Sequence, residues 1–140
     1  MLRIKQLEHL VLRVTDLPAT MYFYIDVLGC SLEKTQEALG LYQLRAGTAL
    51  IDLVPIDGPL GRKGGAAPGK EARNLDHFCL RIDPFDADAI IAHLQACGAH
   101  PAPVASRYGA EGQGPSIYVP DPEGNIVELK GPPWPDGVAP

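Results

Sequence analysis

The sequence predicts an α+β protein made of two β-α-β-β-β modules, and three observations carry that expectation. Leu7-Glu8-His9-Leu10-Val11-Leu12-Arg13-Val14 returns as Leu75-Asp76-His77-Phe78-Cys79-Leu80-Arg81-Ile82, which keeps Leu, acid, His, the later Leu-Arg and a β-branched aliphatic in order. Each copy leads into a helical stretch that stops at glycine: Met21, Tyr24, Ile25 and Leu28 precede Gly29, and Ala87, Ile90, Ile91 and Leu94 precede Gly98. Both sets have the i, i+3, i+4, i+7 spacing that lays one apolar stripe on a sheet. Each half also ends on a strand with an acid between aliphatics, Ile51-Asp52-Leu53 and Val127-Glu128-Leu129. One such match arises easily by chance; three in the same order do not.

The first module is expected over residues 4–56, with strands near 7–14, 31–37, 40–46 and 48–55. The second covers 75–130, with strands near 75–82, 100–105, 114–119 and 125–130. Asp16, ahead of Leu17-Pro18, and Asp86 are suited to start the helices, since an aspartate can accept a free backbone N–H at a helix N-terminus. Asp121-Pro122-Glu123-Gly124-Asn125 reads as a tight turn with Gly124 at positive φ. Residues 57–74 carry Gly58, Pro59, Gly61, Gly64, Gly65, Pro68 and Gly69, so this stretch is expected to be a linker or flap without a packed element. The tail, 131–140, is another Pro/Gly segment and reads as irregular, with Trp134 available to pin it.

Composition narrows the function classes. A 46% hydrophobic and 21% charged chain of 140 residues is globular rather than disordered, and long enough to fold without a disulfide or metal. No apolar run reaches the length needed to span a bilayer, and the opening residues lead straight into strand-like sequence, so neither a membrane protein nor a signal peptide is expected. The net charge of −5 argues against a nucleic-acid partner. Cys30, Cys79 and Cys97 contain no Cys-x-x-Cys pair, which suits reduced thiols in the cytoplasm.

Side chains alternate along a strand, so His9, Val11 and Arg13 share one face and Leu10, Leu12 and Val14 the other. His77, Cys79 and Arg81 repeat the pattern. Asp52 and Glu128 point away from their apolar neighbours, onto the histidine faces. Carboxylates in mid-strand are costly to bury unpaired, which leaves two readings. Either Asp52 and Glu128 form salt bridges with Arg13 and Arg81, or they join His9 and His77 around a divalent cation. A lone strand histidine is ordinarily a satisfied core group; a matched pair beside a matched pair of acids favours metal. Imidazole plus carboxylate suits Zn, Ni, Co, Mn or Fe(II). His93 on a helix and His100 after a glycine read as solvated, and Cys79 as a small buried apolar residue rather than a soft ligand.

His9-Leu-Val-Leu-Arg-Val-Thr-Asp, Phe23-Tyr24 before Leu28-Gly29, Leu75-Asp-His77 and Asp121-Pro-Glu-Gly-Asn-Ile-Val-Glu128-Leu together resemble the vicinal-oxygen-chelate superfamily over nearly the whole chain. This group contains glyoxalase I, fosfomycin-resistance proteins, extradiol dioxygenases and bleomycin-binding proteins. The sequence is most similar to its small glyoxalase-domain-containing subgroup, with a loop-like Glu111-Gly-Gln-Gly-Pro-Ser-Ile-Tyr118 before the last turn. The resemblance implies paired βαβββ modules forming a U-shaped cleft of mixed sheet around one metal, in a homodimer. It implies His9, His77 and Glu128 as metal ligands, and Asp52, where a longer Glu is usual, as fourth ligand or base. Glyoxalase-like (lactoylglutathione lyase-type) isomerisation or proton transfer would then use Asp52 or Glu128 on a small substrate with vicinal oxygens. Arg13 matches a position that binds a glutathione carboxylate, but the expected Asn is Ile56 here, which weakens glutathione recognition. Tyr118 is a further candidate substrate contact. The alternatives are an Fe(II) extradiol-type dioxygenase, a fosfomycin-resistance-like epoxide-opening enzyme, or a non-catalytic drug-sequestering dimer. The first lacks an additional acid–base His, and the second has Val11 in place of a Thr and misses an Arg after the last ligand. The third would have no need of His9, His77 and Glu128 together.

Overall fold

In the computed structural model, which describes residues 1–140, the chain partitions into two units, Met1–Asn74 and Leu75–Pro140. The first runs β1 (His9–Val14), α1 (Leu17–Tyr22), β2 (Ser31–Gln36), β3 (Leu41–Ala46) and β4 (Ala49–Pro55). The second runs β5 (His77–Arg81), α2 (Ala87–Ala96), β6 (Ala105–Gly109), β7 (Gly112–Pro120) and β8 (Ile126–Lys130). Each is therefore β-α-β-β-β, as the repeat predicts, and each builds a four-stranded mixed sheet, in the orders β1-β4-β3-β2 and β5-β8-β7-β6. The first and last strands of each unit pair in parallel, the others antiparallel. Parallel neighbours cannot be joined by a tight hairpin, and here a helix and a β-meander make the crossover.

Alternation sorts the side chains in both sheets. Leu12 and Val14 are fully buried while Val11 between them is 47% exposed. Ile51 and Leu53 on β4, Ile117 and Val119 on β7, and Val127 and Leu129 on β8 complete the apolar faces. Asp16 and Asp86 cap the helices as expected: their Oδ1 atoms accept the N–H of Ala19 (3.0 Å) and Ala89 (3.1 Å). Gly29 and Gly98 follow the helices at φ +84° and +80°, conformations open to glycine and strained for other residues.

The apolar stripe of the first helix departs from the straight-helix pattern. Beyond Tyr22 the coil widens to a π-turn over Phe23–Val27, in which Leu28 N–H donates to the Phe23 carbonyl (2.9 Å). The wider turn rotates the buried face onto Thr20, Phe23, Tyr24 and Val27, leaving Met21, Ile25 and Leu28 half-buried. On α2 the expected stripe holds, with Leu94 at its buried end.

Two other expectations are corrected. The strand placed near 100–105 forms instead at Ala105–Gly109, because Pro101 and Pro103 lack the N–H groups a ladder needs. As a result the loop-like 111–118 segment is mostly strand, turning at Ala110-Glu111 and extending as β7. The 57–74 segment does hold a packed element, a 3₁₀ turn over Gly61–Gly64. Its anchor is Arg13, whose Nε and Nη2 donate to Gly61 O (3.1 and 2.8 Å), Nη2 also to Gly65 O (2.7 Å), and Nη1 to Ala66 O (2.9 Å). Asn74 then pairs with the free edge of β1, donating to Arg13 O (3.0 Å) and accepting from Arg13 N–H (3.3 Å). In the tail, Trp134 does act as a pin, through Nε1–H to Ser106 Oγ (2.8 Å) and N–H to Gln113 O (2.7 Å).

Gly61 has no room for a side chain, since an added Cβ would lie 1.8 Å from the Pro55 carbonyl oxygen. Gly61→Ala is therefore expected to displace the turn from Arg13 and cost about 1–3 kcal/mol. Urea denaturation checks this, and an unchanged midpoint would mean that the turn contributes nothing.

Candidate metal centre

Each sheet presents one histidine and one acid on the face away from its helix. In the first unit, the register of β1 with β4 aligns Val11 with Asp52, so His9 and Asp52 share that face on neighbouring strands. His9 is exposed, and its Nδ1 is held by the Glu8 carboxylate. That hydrogen bond, followed by the Glu8 charge and a smaller contribution from Asp52, raises the His9 pKa above 6.5. Asp52 is 4% exposed, and both its oxygens accept from Gln43 Nε2 (3.3 and 3.2 Å). Gln43 faces Asp52 across the β3–β4 ladder and is itself bonded to Gln36 (3.1 Å).

In the second unit, β8 aligns Glu128 with Cys79 of β5, and β7 aligns Tyr118 with Glu128. His77 Nδ1 is held by Asp76 Oδ2 (2.6 Å), and His77 Nε2 faces Glu128 Oε2 at 3.5 Å. The other carboxylate oxygen, Glu128 Oε1, is buried without any hydrogen-bond partner. Tyr118 lies beside this pair, its ring 5.4 Å from that of His77 and covered by the Arg107 guanidinium 3.9 Å from its centroid.

These contacts bear on the two readings of the acids. Arg13 commits four of its five N–H donors to linker carbonyls, and Arg81 pairs with Glu111 (2.6 Å). Asp52 takes a neutral amide instead, and Glu128 keeps an orphaned oxygen. The salt-bridge reading therefore has no arginine behind it. A carboxylate oxygen buried without a partner costs about 1–3 kcal/mol, so the unmet acceptor marks a place where a cation fits.

The donor set fits a divalent ion. When Nδ1–H donates to a carboxylate, the tautomer is fixed and the Nε2 lone pair faces outward, the outer-shell arrangement common to metal-binding histidines. Both histidines have it. In the second unit that lone pair faces an anionic oxygen 3.5 Å away, beyond hydrogen-bond length, and a cation between them would turn repulsion into coordination. Within each unit the donors come as one His and one acid, and neither unit gathers three. Glu8 and Asp76, which hold these imidazoles, stand in the repeat, yet the sequence gives them no role.

Cys79 is not buried as expected. It is exposed on the His77 face, while partial desolvation followed by the Glu128 charge pushes its thiol up to about 11. At pH 8 its thiolate fraction is thus about a hundredfold below that of a thiol at 9.0, and the greater nucleophilicity of a more basic thiolate recovers about tenfold. Alkylation by iodoacetamide, followed by peptide mass analysis, should be about tenfold slower than for a cysteine peptide. Peptide-like rates would refute this surrounding. His93 and His100 are exposed, as the sequence suggests.

Residues 6–129 match the model of the Glyoxalase/Bleomycin resistance protein/Dioxygenase superfamily, and the chain belongs to that family. It is 29% identical over 131 residues to the virulence protein STM3117 of Salmonella typhimurium, covering 90% of this chain and 83% of that one. The crystal structure of STM3117 superposes with a TM-score of 0.76 at 26% identity, over 94% of this chain and 99% of that one. An integron cassette protein from the mobile metagenome of V. cholerae gives 0.74 at 27% identity, over 94% and 98%. The fosfomycin resistance protein FosX of Listeria monocytogenes shares the fold at a TM-score of 0.68 and 20% identity, over 97% and 100%. No helix is long and apolar enough to cross a membrane.

Proposed function

We propose that this protein is a divalent-metal-dependent enzyme that moves a proton on a small substrate with adjacent oxygens, in the manner of glyoxalases. His9, His77 and Glu128 are the ligands, and Asp52 is the fourth ligand or the base. The observation that carries this reading is the orphaned Glu128 oxygen beside His77 Nε2, with each histidine oriented by the acid before it. When bound, the metal supplies Lewis acidity to two substrate oxygens. The chain supplies the rest. Asp52, held by the Gln43 amide rather than by an arginine, takes a proton from the carbon bearing one of those oxygens and returns it to the adjacent carbon bearing the other. Tyr118, fixed between His77 and Arg107, forms a wall beside Glu128. Arg13, engaged by the linker, is a clamp on residues 61–66 rather than a contact for a glutathione carboxylate.

The family also suggests a homodimer, and the free thiols of Cys30, Cys79 and Cys97 suit the cytoplasm. The function is tested by assaying methylglyoxal with glutathione, α-hydroxy and α-keto acids, and catechols under O₂, before and after chelation and with each candidate metal restored. Chelator-sensitive isomerisation supports the reading. Ring cleavage with Fe(II) would assign the dioxygenase class, and turnover indifferent to chelation would overturn a metal mechanism.

A further inference from the structure

The second unit buries a lysine beside the candidate centre, and nothing in the metal chemistry uses it. Lys130, two residues after Glu128 and on the same face of β8, is 6% exposed. Its side chain runs across the sheet and over the neighbouring strands. A Cβ on Gly109 would meet Lys130 Cε at 2.6 Å, and one on Gly114 would meet its Nζ at 3.0 Å, so two glycines keep the path open. The ammonium donates to one protein acceptor, the Arg107 carbonyl (2.9 Å), and no carboxylate of this unit pairs with it. Lys130 and Glu128 line the same cavity of about 210 Å³, together with Cys79, Tyr108 and the Arg81–Glu111 pair.

A buried ammonium with one neutral acceptor is costly to keep. Glu128 does not offset it, because that carboxylate is turned to His77. Methionine would fill the same channel without the charge, so the charge calls for an anion that the protein itself does not provide. The volume corresponds to roughly seven waters, enough for a molecule of a few carbons.

We propose that Lys130 is the anion-recognition group of this cavity and that the substrate is a small acid. Its carboxylate or phosphate meets the Lys130 ammonium while its adjacent oxygens meet the centre to which Glu128 and His77 contribute. Arg81, with N–H groups beyond those given to Glu111 and the Ile82 carbonyl, stands at the same cavity as a second cation. The inference deepens the proposed function by naming a substrate class, yet it is tested on the metal-free chain, so the two fail separately.

Inorganic phosphate and acetate are titrated by calorimetry into the chelated full-length protein, its Lys130→Met variant and its Gly109→Ala variant. Wild type should bind at least one of them saturably, and the preferred anion distinguishes a phosphate ester from a carboxylic acid as the natural ligand. Lys130→Met should weaken that binding about tenfold or more, the worth of one charge-assisted hydrogen bond, while keeping the wild-type metal content on reconstitution. Gly109→Ala, which keeps the charge but obstructs its path, should weaken binding in the same direction and serves alone if Lys130→Met fails to fold. Absence of saturable binding to wild type, or variants that bind as tightly as wild type, would overturn the assignment. Loss of metal from Lys130→Met would also overturn it, by making Lys130 part of the metal framework.

Discussion

Glu128→Gln is expected to yield a folded chain that is more stable than wild type without metal and unable to hold metal. The two effects have one origin. Glu128 is 6% exposed, one of its oxygens has no partner, and the other faces an imidazole nitrogen at 3.5 Å. In the metal-free protein that is a buried carboxyl group with an unmet acceptor, and replacing it by the neutral amide should gain about 1 kcal/mol. In the proposed metal-bound protein the same oxygens would be the anionic ligand. An amide supplies a far weaker donor, so affinity should fall by more than the ~100-fold typical of an outer-shell change. Urea denaturation with a strong chelator reads the first effect, and elemental analysis after gel filtration the second. A residue that merely packs would show neither, and a structural salt-bridge partner would destabilise when neutralised. Stoichiometric metal in the variant, or a metal-free midpoint below that of wild type, would remove Glu128 from the site.

The repeat made most of the fold legible, because strand alternation and helix periodicity are local. Leu12, Val14, Leu53 and Val127 are buried where a two-residue period places them, and Asp16 and Asp86 cap where a helix start needs them. Alternation also put His9 and Asp52, and His77 and Glu128, on common faces. What was hidden depends on partners remote in sequence or on directions that alternation does not define. Pro101 and Pro103 decided the start of β6 by subtraction of donors, against a favourable apolar pattern. The Gly61–Gly64 turn exists because Arg13, nearly fifty residues earlier, fills its carbonyls. Glu8 and Asp76 stand in the repeat, but strand neighbours point to opposite faces, so their return to the adjacent imidazoles follows only from coordinates. Lys130 carries no distinguishing signal in the sequence, and its burial follows only from Gly109 and Gly114 lying beside its side chain.

Those two acids lead to the other large effect. Glu8→Ala and Asp76→Ala should each lower metal affinity about 10–100-fold with little change in fold, and together by the product if they act independently. Each carboxylate fixes the Nδ1–H tautomer of its histidine and makes Nε2 a better donor, so without it the ring samples orientations and tautomers that present no lone pair. Both acids are well exposed, at 69% and 96% of their side chains, so truncation leaves no cavity. The pH dependence separates this role from plain electrostatic attraction. Glu8 raises the His9 pKa, so in wild type the proton competes with metal as pH falls through that raised value. Removing Glu8 lets the pKa return toward 6.5, so His9 deprotonates at lower pH than in wild type. The affinity lost in Glu8→Ala should therefore be greatest above the raised His9 value and shrink as the buffer is acidified toward 6.5. Competition against a chromophoric chelator across that range measures it. A loss independent of pH would assign Glu8 a charge effect alone, and unchanged affinity in both variants would show that neither acid orients a ligand.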